Sequence, residues 1–315
     1  MIDVWTEKYR PDTLDEVIGH KNITERLKAF VKKERVPHMM FAGPAGTGKT
    51  TSAIALAKDL YGEEWKQNFM ETNASDDRGI GVVRNQIKDF ARSKPINADF
   101  KIIFLDESDA LTNDAQQALR RTMEKYSESC RFILSCNYSS KIIPPIQSRC
   151  AIFRFNRLED DEVGKYLDNL AEGEGLEVTE TGMDALKRVS SGDLRKATNV
   201  LQAASIQGGE IDEEKVFEVA ASLRPEEVKE VLDKALEGDF IEARKELSDL
   251  MVNRGLDGLD VIKAINREIY NLDISEQKKL EVIEQMGEYE FRIVEGGSPD
   301  LQIESLLAQI SSLKD

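Results

Sequence analysis

Met39-Met40-Phe41-Ala42, then Gly43-Pro44-Ala45-Gly46-Thr47-Gly48-Lys49-Thr50, then Thr51-Ser52-Ala53-Ile54-Ala55-Leu56-Ala57-Lys58-Asp59-Leu60, is the stretch whose reading decides the fold. The first four residues are a short apolar run that suits a buried parallel strand. The last ten combine helix formers with apolar residues at helical spacing. Between them the pattern G-x-x-x-x-G-K-T puts glycines where the backbone must come close to a ligand. Strand, glycine loop and helix together let backbone N–H groups and a helix N-terminus close around a polyphosphate. In that arrangement Gly43, Pro44, Ala45, Gly46, Thr47, Gly48 and Thr51 surround the phosphates. Lys49 reaches the β and γ phosphates, and the Thr50 hydroxyl ligates Mg²⁺.

Further along, Ile102-Ile103-Phe104-Leu105-Asp106-Glu107 reads as a buried central strand with two carboxylates at its C-terminal end. That is the end at which open α/β sheets bind ligands. Asp106 is placed to hold Mg²⁺, and Glu107 to polarise a water attacking the γ-phosphate. Arg131-Phe132-Ile133-Leu134-Ser135-Cys136-Asn137 is another strand ending at the same edge. Asn137 can bond the γ-phosphate or the attacking water, or simply turn the chain. Arg149 stands just before the run Ala151-Ile152-Phe153. It suits a surface ion pair, or a phosphate held by a neighbouring subunit. Arg195, in Gly192-Asp193-Leu194-Arg195-Lys196, opens a helix and either lies on its surface or reaches back to the nucleotide.

Candidate strands are Met39–Ala42, Phe69–Asn73, Lys101–Asp106, Arg131–Asn137 and Ala151–Phe155, with helical stretches between them. The alternation predicts an α/β fold with a parallel sheet and helices on both faces. From Leu158 onward the periodicity is almost wholly helical, broken at Gly173–Gly175, Gly208-Gly209 and Gly296-Gly297. Pro225 can open a helix but not continue one. The expected division is an α/β domain over 1–157, a small helical domain over 158–222 and a second helical domain over 223–315.

The 315 residues carry a formal net charge of −16 that is unevenly spread. Residues 1–157 hold 25 Lys+Arg and 21 Asp+Glu, whereas residues 158–315 hold 18 and 38. The first half can face a polyanion and the second would repel one. No apolar run is long enough to span a membrane, and the first residues have no signal-peptide pattern. Three cysteines at loose spacing and two histidines argue for reduced thiols and against a disulfide framework or a zinc site.

The motifs, in this order, resemble the AAA+ ATPases. Further segments narrow the resemblance: Trp5-Thr6-Glu7-Lys8-Tyr9-Arg10-Pro11 with Leu14-Asp15-Glu16-Val17-Ile18-Gly19, Pro37-His38 ahead of the first strand, Asn73-Ala74-Ser75-Asp76-Asp77-Arg78-Gly79-Ile80, Gln117-Ala118-Leu119-Arg120-Arg121-Thr122-Met123-Glu124, and Ser148-Arg149-Cys150. Over its whole length the chain resembles the replication factor C small-subunit family of clamp loaders, archaeal type. The resemblance implies a P-loop ATPase domain followed by a helical lid and an all-α collar. It implies ATP with Mg²⁺, and Val4, Tyr9, Arg10, Val17 and Ile18 around the adenine and ribose. It makes Arg149 the finger completing the next subunit's ATP site and Arg195 the lid sensor. Implied partners are a large subunit and other small subunits in a pentameric hetero-oligomer, the sliding clamp PCNA, and primer–template DNA, in the cytoplasm. Two departures are Ser108 after the carboxylate pair, where Ala is frequent, and Ala45 in the phosphate loop, where Pro is commoner.

For DNA, Gly81–Lys88 is expected to begin a helix just after Arg78-Gly79. Its N-terminal amides and Arg84 suit a phosphate oxygen, and Lys88 lies on the face of Arg84. Such contacts read backbone rather than sequence. A solvated basic face is the alternative. Other readings of the whole chain are a helicase or protein-remodelling motor, for which no aromatic pore loop is found, and a collar protein that binds ATP without turnover, against which Glu107 argues.

Overall fold

The computed structural model describes residues 4–75, 81 and 86–313. Contacts divide them into two bodies. One comprises residues up to Glu177 together with Leu186–Ser205, and the other comprises Val178–Ala185 and the chain from Ile206 onward.

The first body is built on a parallel sheet of β1 (Met39–Ala42), β2 (Phe69–Asn73), β3 (Lys101–Asp106), β4 (Cys130–Cys136) and β5 (Ala151–Arg154), in the order β2-β3-β4-β1-β5. The alternation of side chains sorts the strand residues into two cores. Met40, Ile103, Leu105, Phe132 and Leu134 pack on one face, against Ala115, Leu119 and Met123 of the helix Asn113–Lys125. Met39, Phe41, Ile102, Phe104, Ile133 and Phe153 pack on the other, against Ile23 and Leu27 of Lys21–Lys33 and Ala53–Ala57 of Lys49–Tyr61. Burial on both faces accounts for strands that read as continuous apolar runs.

In chain order the helices of this body are α1 (Trp5–Lys8), α2 (Lys21–Lys33), α3 (Lys49–Tyr61), α4 (Trp65–Asn68), α5 (Lys88–Arg92), α6 (Asn113–Lys125), α7 (Pro144–Gln147) and α8 (Asp160–Glu174), followed by α9 (Glu180–Ser190) and α10 (Leu194–Ile206), which pass between the two bodies. Thr112 caps α6 by accepting from Ala115 N–H, and Glu159 with Glu162 forms a capping box on α8. β1, β3 and β4 reach the same sheet edge: Ala42 lies opposite Cys136, and Asn73 opposite Asp106. The residues that follow, Gly43, Glu107 and Asn137, therefore emerge side by side.

The second body is helical: α11 (Glu213–Val219), α12 (Pro225–Leu236), α13 (Phe240–Arg254), α14 (Gly258–Glu268), α15 (Glu276–Val294) and α16 (Pro299–Ser311). Pro225 stands in the first turn of α12, as its missing N–H allows. Val228, Val231, Leu232 and Ala235 of α12 are buried in one core with Val261, Ile265, Met286, Leu306 and Leu307.

Candidate active site

Two carbonyls of the loop 43–48 face the side chain of Lys49. The Lys49 ammonium, nearly buried, donates to the carbonyls of Gly43 at 2.8 Å and Pro44 at 2.7 Å, and approaches Asn137 Oδ1 at 3.4 Å. Burial lowers its pKa, with the charge of Arg195 adding in the same direction and that of Asp106 opposing. A buried cation whose hydrogen-bond partners are all neutral is poised for an anion. Gly43 is required by crowding, since a Cβ there would lie 2.0 Å from the Phe155 carbonyl oxygen. Gly46 is required twice over. Its φ is +69°, and a Cβ would lie 1.7 Å from Asp193 Oδ1.

The head of α3 faces the end of β3. The Thr50 hydroxyl donates to Asp106 Oδ2 at 3.0 Å, while the Glu107 amide donates to Asp106 Oδ1 at 2.9 Å. Hydroxyl and carboxylate oxygens at this separation are the hard donors that Mg²⁺ prefers. Glu107 itself takes φ +50°, in the left-handed region, and its side chain is exposed. Left-handed backbone of this kind is sparsely populated by residues other than glycine. Ser108 is fully buried and donates to the Leu105 carbonyl at 2.8 Å. Asp109 Oδ2 accepts from Tyr138 N–H at 3.1 Å, which pins the turn carrying Asn137 beside the carboxylate pair.

The opposite wall comes from the segment 186–205 of the same body. Gly46 carbonyl accepts from Leu194 N–H at 3.0 Å, and Asp193 Oδ1 accepts from Lys196 N–H at 3.0 Å, capping α10. Asp193 also pairs with Arg157 at 3.6 Å. These bonds seat Arg195 over the phosphate loop. Tyr166 of α8 and Thr198 of α10 share a 3.0 Å hydrogen bond beside it.

One pocket takes in the phosphate-loop residues Ala45, Gly46, Gly48, Lys49, Thr50 and Thr51. Asp106, Glu107, Asn137 and Arg195 reach it from the sheet edge and the lid segment. Tyr9, Arg10, Val17 and Ile18 reach it from the N-terminal segment. Tyr9 is fixed by donating to Glu174 Oε1 at 2.7 Å, a carboxylate shared with Lys8. Gly43, Pro44 and Thr47 do not line the pocket; the Thr47 hydroxyl is used inside the loop, donating to Pro44 O at 2.9 Å. Val4 is exposed outside it, and Arg149 lies outside it too. Thr6, Glu7, Pro11, Tyr166, Leu194 and Thr198 line the pocket without having been singled out in the sequence. For Thr198 a signal existed, because it lies three residues after Arg195 and hence on the same helix face. Arg78 and Arg84 lie outside the described residues, and Lys88 begins α5 with its side chain exposed.

All three cysteines are free, and burial pushes each thiol up to about 12. No group of three or more His, Cys, Asp or Glu among the described residues could hold a metal ion. No helix among them is long and apolar enough to cross a membrane.

A parallel sheet whose edge joins a glycine loop, a carboxylate pair and a helical lid defines an AAA+ ATPase. Residues 39–158 match the model for the ATPase family associated with various cellular activities, and residues 223–309 match the replication factor C C-terminal domain. The chain is 56% identical to the replication factor C small subunit of Methanococcus maripaludis, over 98% of this chain and 99% of that protein. It is 53% identical to that of Halobacterium salinarum (98% and 96%) and 52% identical to that of Archaeoglobus fulgidus (99% and 98%). The chain belongs to the replication factor C small-subunit family, archaeal type, and is a clamp-loader ATPase of DNA replication. Among solved structures, the Thermotoga maritima RuvB Holliday junction branch migration motor matches with a TM-score of 0.56 at 20% identity, over 73% of this chain and 80% of that one, a likeness of fold.

Proposed function

We propose that the pocket binds ATP with Mg²⁺ and that this chain, in a complex with other subunits, uses the hydrolysis to open the sliding clamp PCNA and place it on primer–template DNA. The observation that carries the chemical part is the Thr50–Asp106 bond beside Glu107 and the buried Lys49. Lys49 and the loop amides hold the β and γ phosphates. Thr50 and Asp106 hold Mg²⁺, which when bound neutralises charge on the phosphates. Glu107 orients the attacking water, Asn137 aligns it against the γ-phosphate, and Arg195 contacts that phosphate from the lid. Tyr9, Arg10, Val17 and Ile18 enclose the base and ribose, with Val4 at the rim.

Arg149 completes the site of a neighbouring subunit. Its exclusion from the pocket of its own chain favours that reading over a role in cis. Residues 158–222 act as the lid and 223–315 as the assembly collar. On α15, Leu280, Phe291 and Val294 are exposed at helical spacing, opposite the buried Val282, Met286 and Ile293. That stripe is the surface proposed to meet the neighbouring large or small subunit. Arg78, Arg84 and Lys88 are proposed to follow the DNA backbone, and the chain is proposed to work in the cytoplasm.

The test is steady-state ATP turnover of the purified chain, alone and with the large subunit, with and without clamp and primed DNA. Stimulation by clamp and DNA together is expected. Turnover indifferent to both would refute clamp loading while leaving the ATPase intact. Phe291→Glu with Leu280→Glu is expected to dissociate the assembly, read by light scattering, without lowering the melting temperature.

A further inference from the structure

Arg149 is not free on the surface of its own chain. Its Nη2 lies 2.6 Å from Glu124 Oε1, and its Nη1 donates to the Pro145 carbonyl at 2.6 Å. Glu124, at the end of α6, also takes Arg120 Nη1 on the same oxygen at 3.1 Å. One carboxylate thus serves two guanidinium groups, and the trio carries a surplus positive charge. All three side chains are partly exposed, where ion pairs contribute little to stability. The arrangement therefore calls for another explanation than holding the fold.

An arginine has many rotamers, and ordering one at the moment of reaction costs rate. Glu124 and the Pro145 carbonyl engage the two terminal nitrogens, which leaves Nε and the outer N–H groups as donors for an incoming phosphate. The loop that carries Arg149 is itself held. Gln147 Nε2 donates to the carbonyls of Ser139 and Ile142, at 3.0 and 2.7 Å. The backbone is fixed by Gln147, and the side chain by Glu124.

We infer that Glu124 is a positioning residue for catalysis in trans, holding the Arg149 guanidinium in the orientation in which it meets the γ-phosphate bound by the next subunit. The inference rests on the reading of Arg149 as the trans-acting group. Glu124 does not line the pocket of its own chain, so its loss is expected to leave nucleotide binding by that chain untouched and to slow turnover.

The experiment measures kcat and ATP dissociation constants in the assembled complex for Arg149→Ala, Glu124→Ala, Glu124→Gln and the double variant Glu124→Ala with Arg149→Ala. Arg149→Ala is expected to lose about 10³-fold or more in kcat, the scale of arginine fingers. Glu124→Ala is expected to lose about tenfold in kcat, because a released arginine spreads over its rotamers, with ATP affinity unchanged. Glu124→Gln keeps an acceptor for Arg149 and is expected to recover part of the loss. The double variant is expected to be no slower than Arg149→Ala alone. Parental turnover in both Glu124 variants beside a slow Arg149→Ala overturns the positioning role. Losses that multiply in the double variant also overturn it, since Glu124 would then act independently. Parental turnover in Arg149→Ala overturns the trans reading itself.

Discussion

The Thr50 hydroxyl bonds Asp106 across 3.0 Å, joining the first turn of α3 to the end of β3. The two oxygens are the proposed ligands of Mg²⁺. Thr50→Val keeps the shape and removes the oxygen. It is expected to raise the Mg²⁺ concentration for half-maximal turnover by about tenfold, in line with one lost hydrogen bond to a charged partner, and to leave the melting temperature nearly unchanged. A Mg²⁺ titration checks this, and an unshifted midpoint would remove Thr50 from the site.

Lys49 and Glu107 separate binding from chemistry. Lys49→Ala is expected to weaken ATP binding by about 10- to 100-fold, as a charge-assisted contact to the phosphates is lost. Glu107→Gln is expected to keep ATP bound and to lose about 10²–10⁴ in turnover, the scale of a general base. Fluorescent-nucleotide titration beside phosphate release distinguishes the two; parental turnover in the Gln variant defeats the assignment.

Gly46→Ala meets Asp193 head-on, with its Cβ 1.7 Å from Oδ1. Either the loop or the Asp193 carboxylate, which caps α10, must move. The expected outcome is a loss of ATP affinity together with destabilisation of about 1–3 kcal/mol from the overpacking and the strained φ. Asp193→Gly in the same chain is expected to recover part of the affinity. If Gly46→Ala binds ATP as the parent does, the close packing has no consequence for the site.

His38 carries a pH dependence of definite sign. Its Nδ1 accepts from Phe132 N–H at 3.1 Å, and burial, with Arg131 nearby, holds its pKa down at about 4 against 6.5. Between those values the unfolded chain binds the proton and the folded chain does not. Stability is therefore full above pH ~6.5 and falls as the pH drops toward ~4, by at most about 3 kcal/mol at about 1.36 kcal/mol per unit. His20, also lowered by burial, acts in the same direction. Urea midpoints at pH 7 and pH 5 are expected to converge in His38→Asn relative to the parent. An undiminished gap would rule out His38 as a source.

The α/β half was legible because its signals are local. A strand buried on both faces must be apolar throughout, so Arg131–Asn137 and Ala151–Phe155 were expected within one residue of the observed Cys130–Cys136 and Ala151–Arg154. Lys49, Thr50, Asp106 and Glu107 were legible because phosphate chemistry fixes both residue type and place on the sheet edge. Tyr166 and Leu194 were not, because they reach the pocket through the docking of distant helices onto the loop. No spacing in the chain encodes that approach. Glu124 was visible only as part of a run, Arg120-Arg121-Thr122-Met123-Glu124, and its partner Arg149 is supplied by a separate loop.

The bond from Leu194 N–H to the Gly46 carbonyl makes α10 a lever with its fulcrum on the phosphate loop. The helix has 13 residues, Leu194–Ile206, and so runs about 20 Å at 1.5 Å per residue. A tilt of only a few degrees at the base sweeps its far end through more than ~1 Å by the same dimension. A small shift of the phosphate loop is thus magnified along α10.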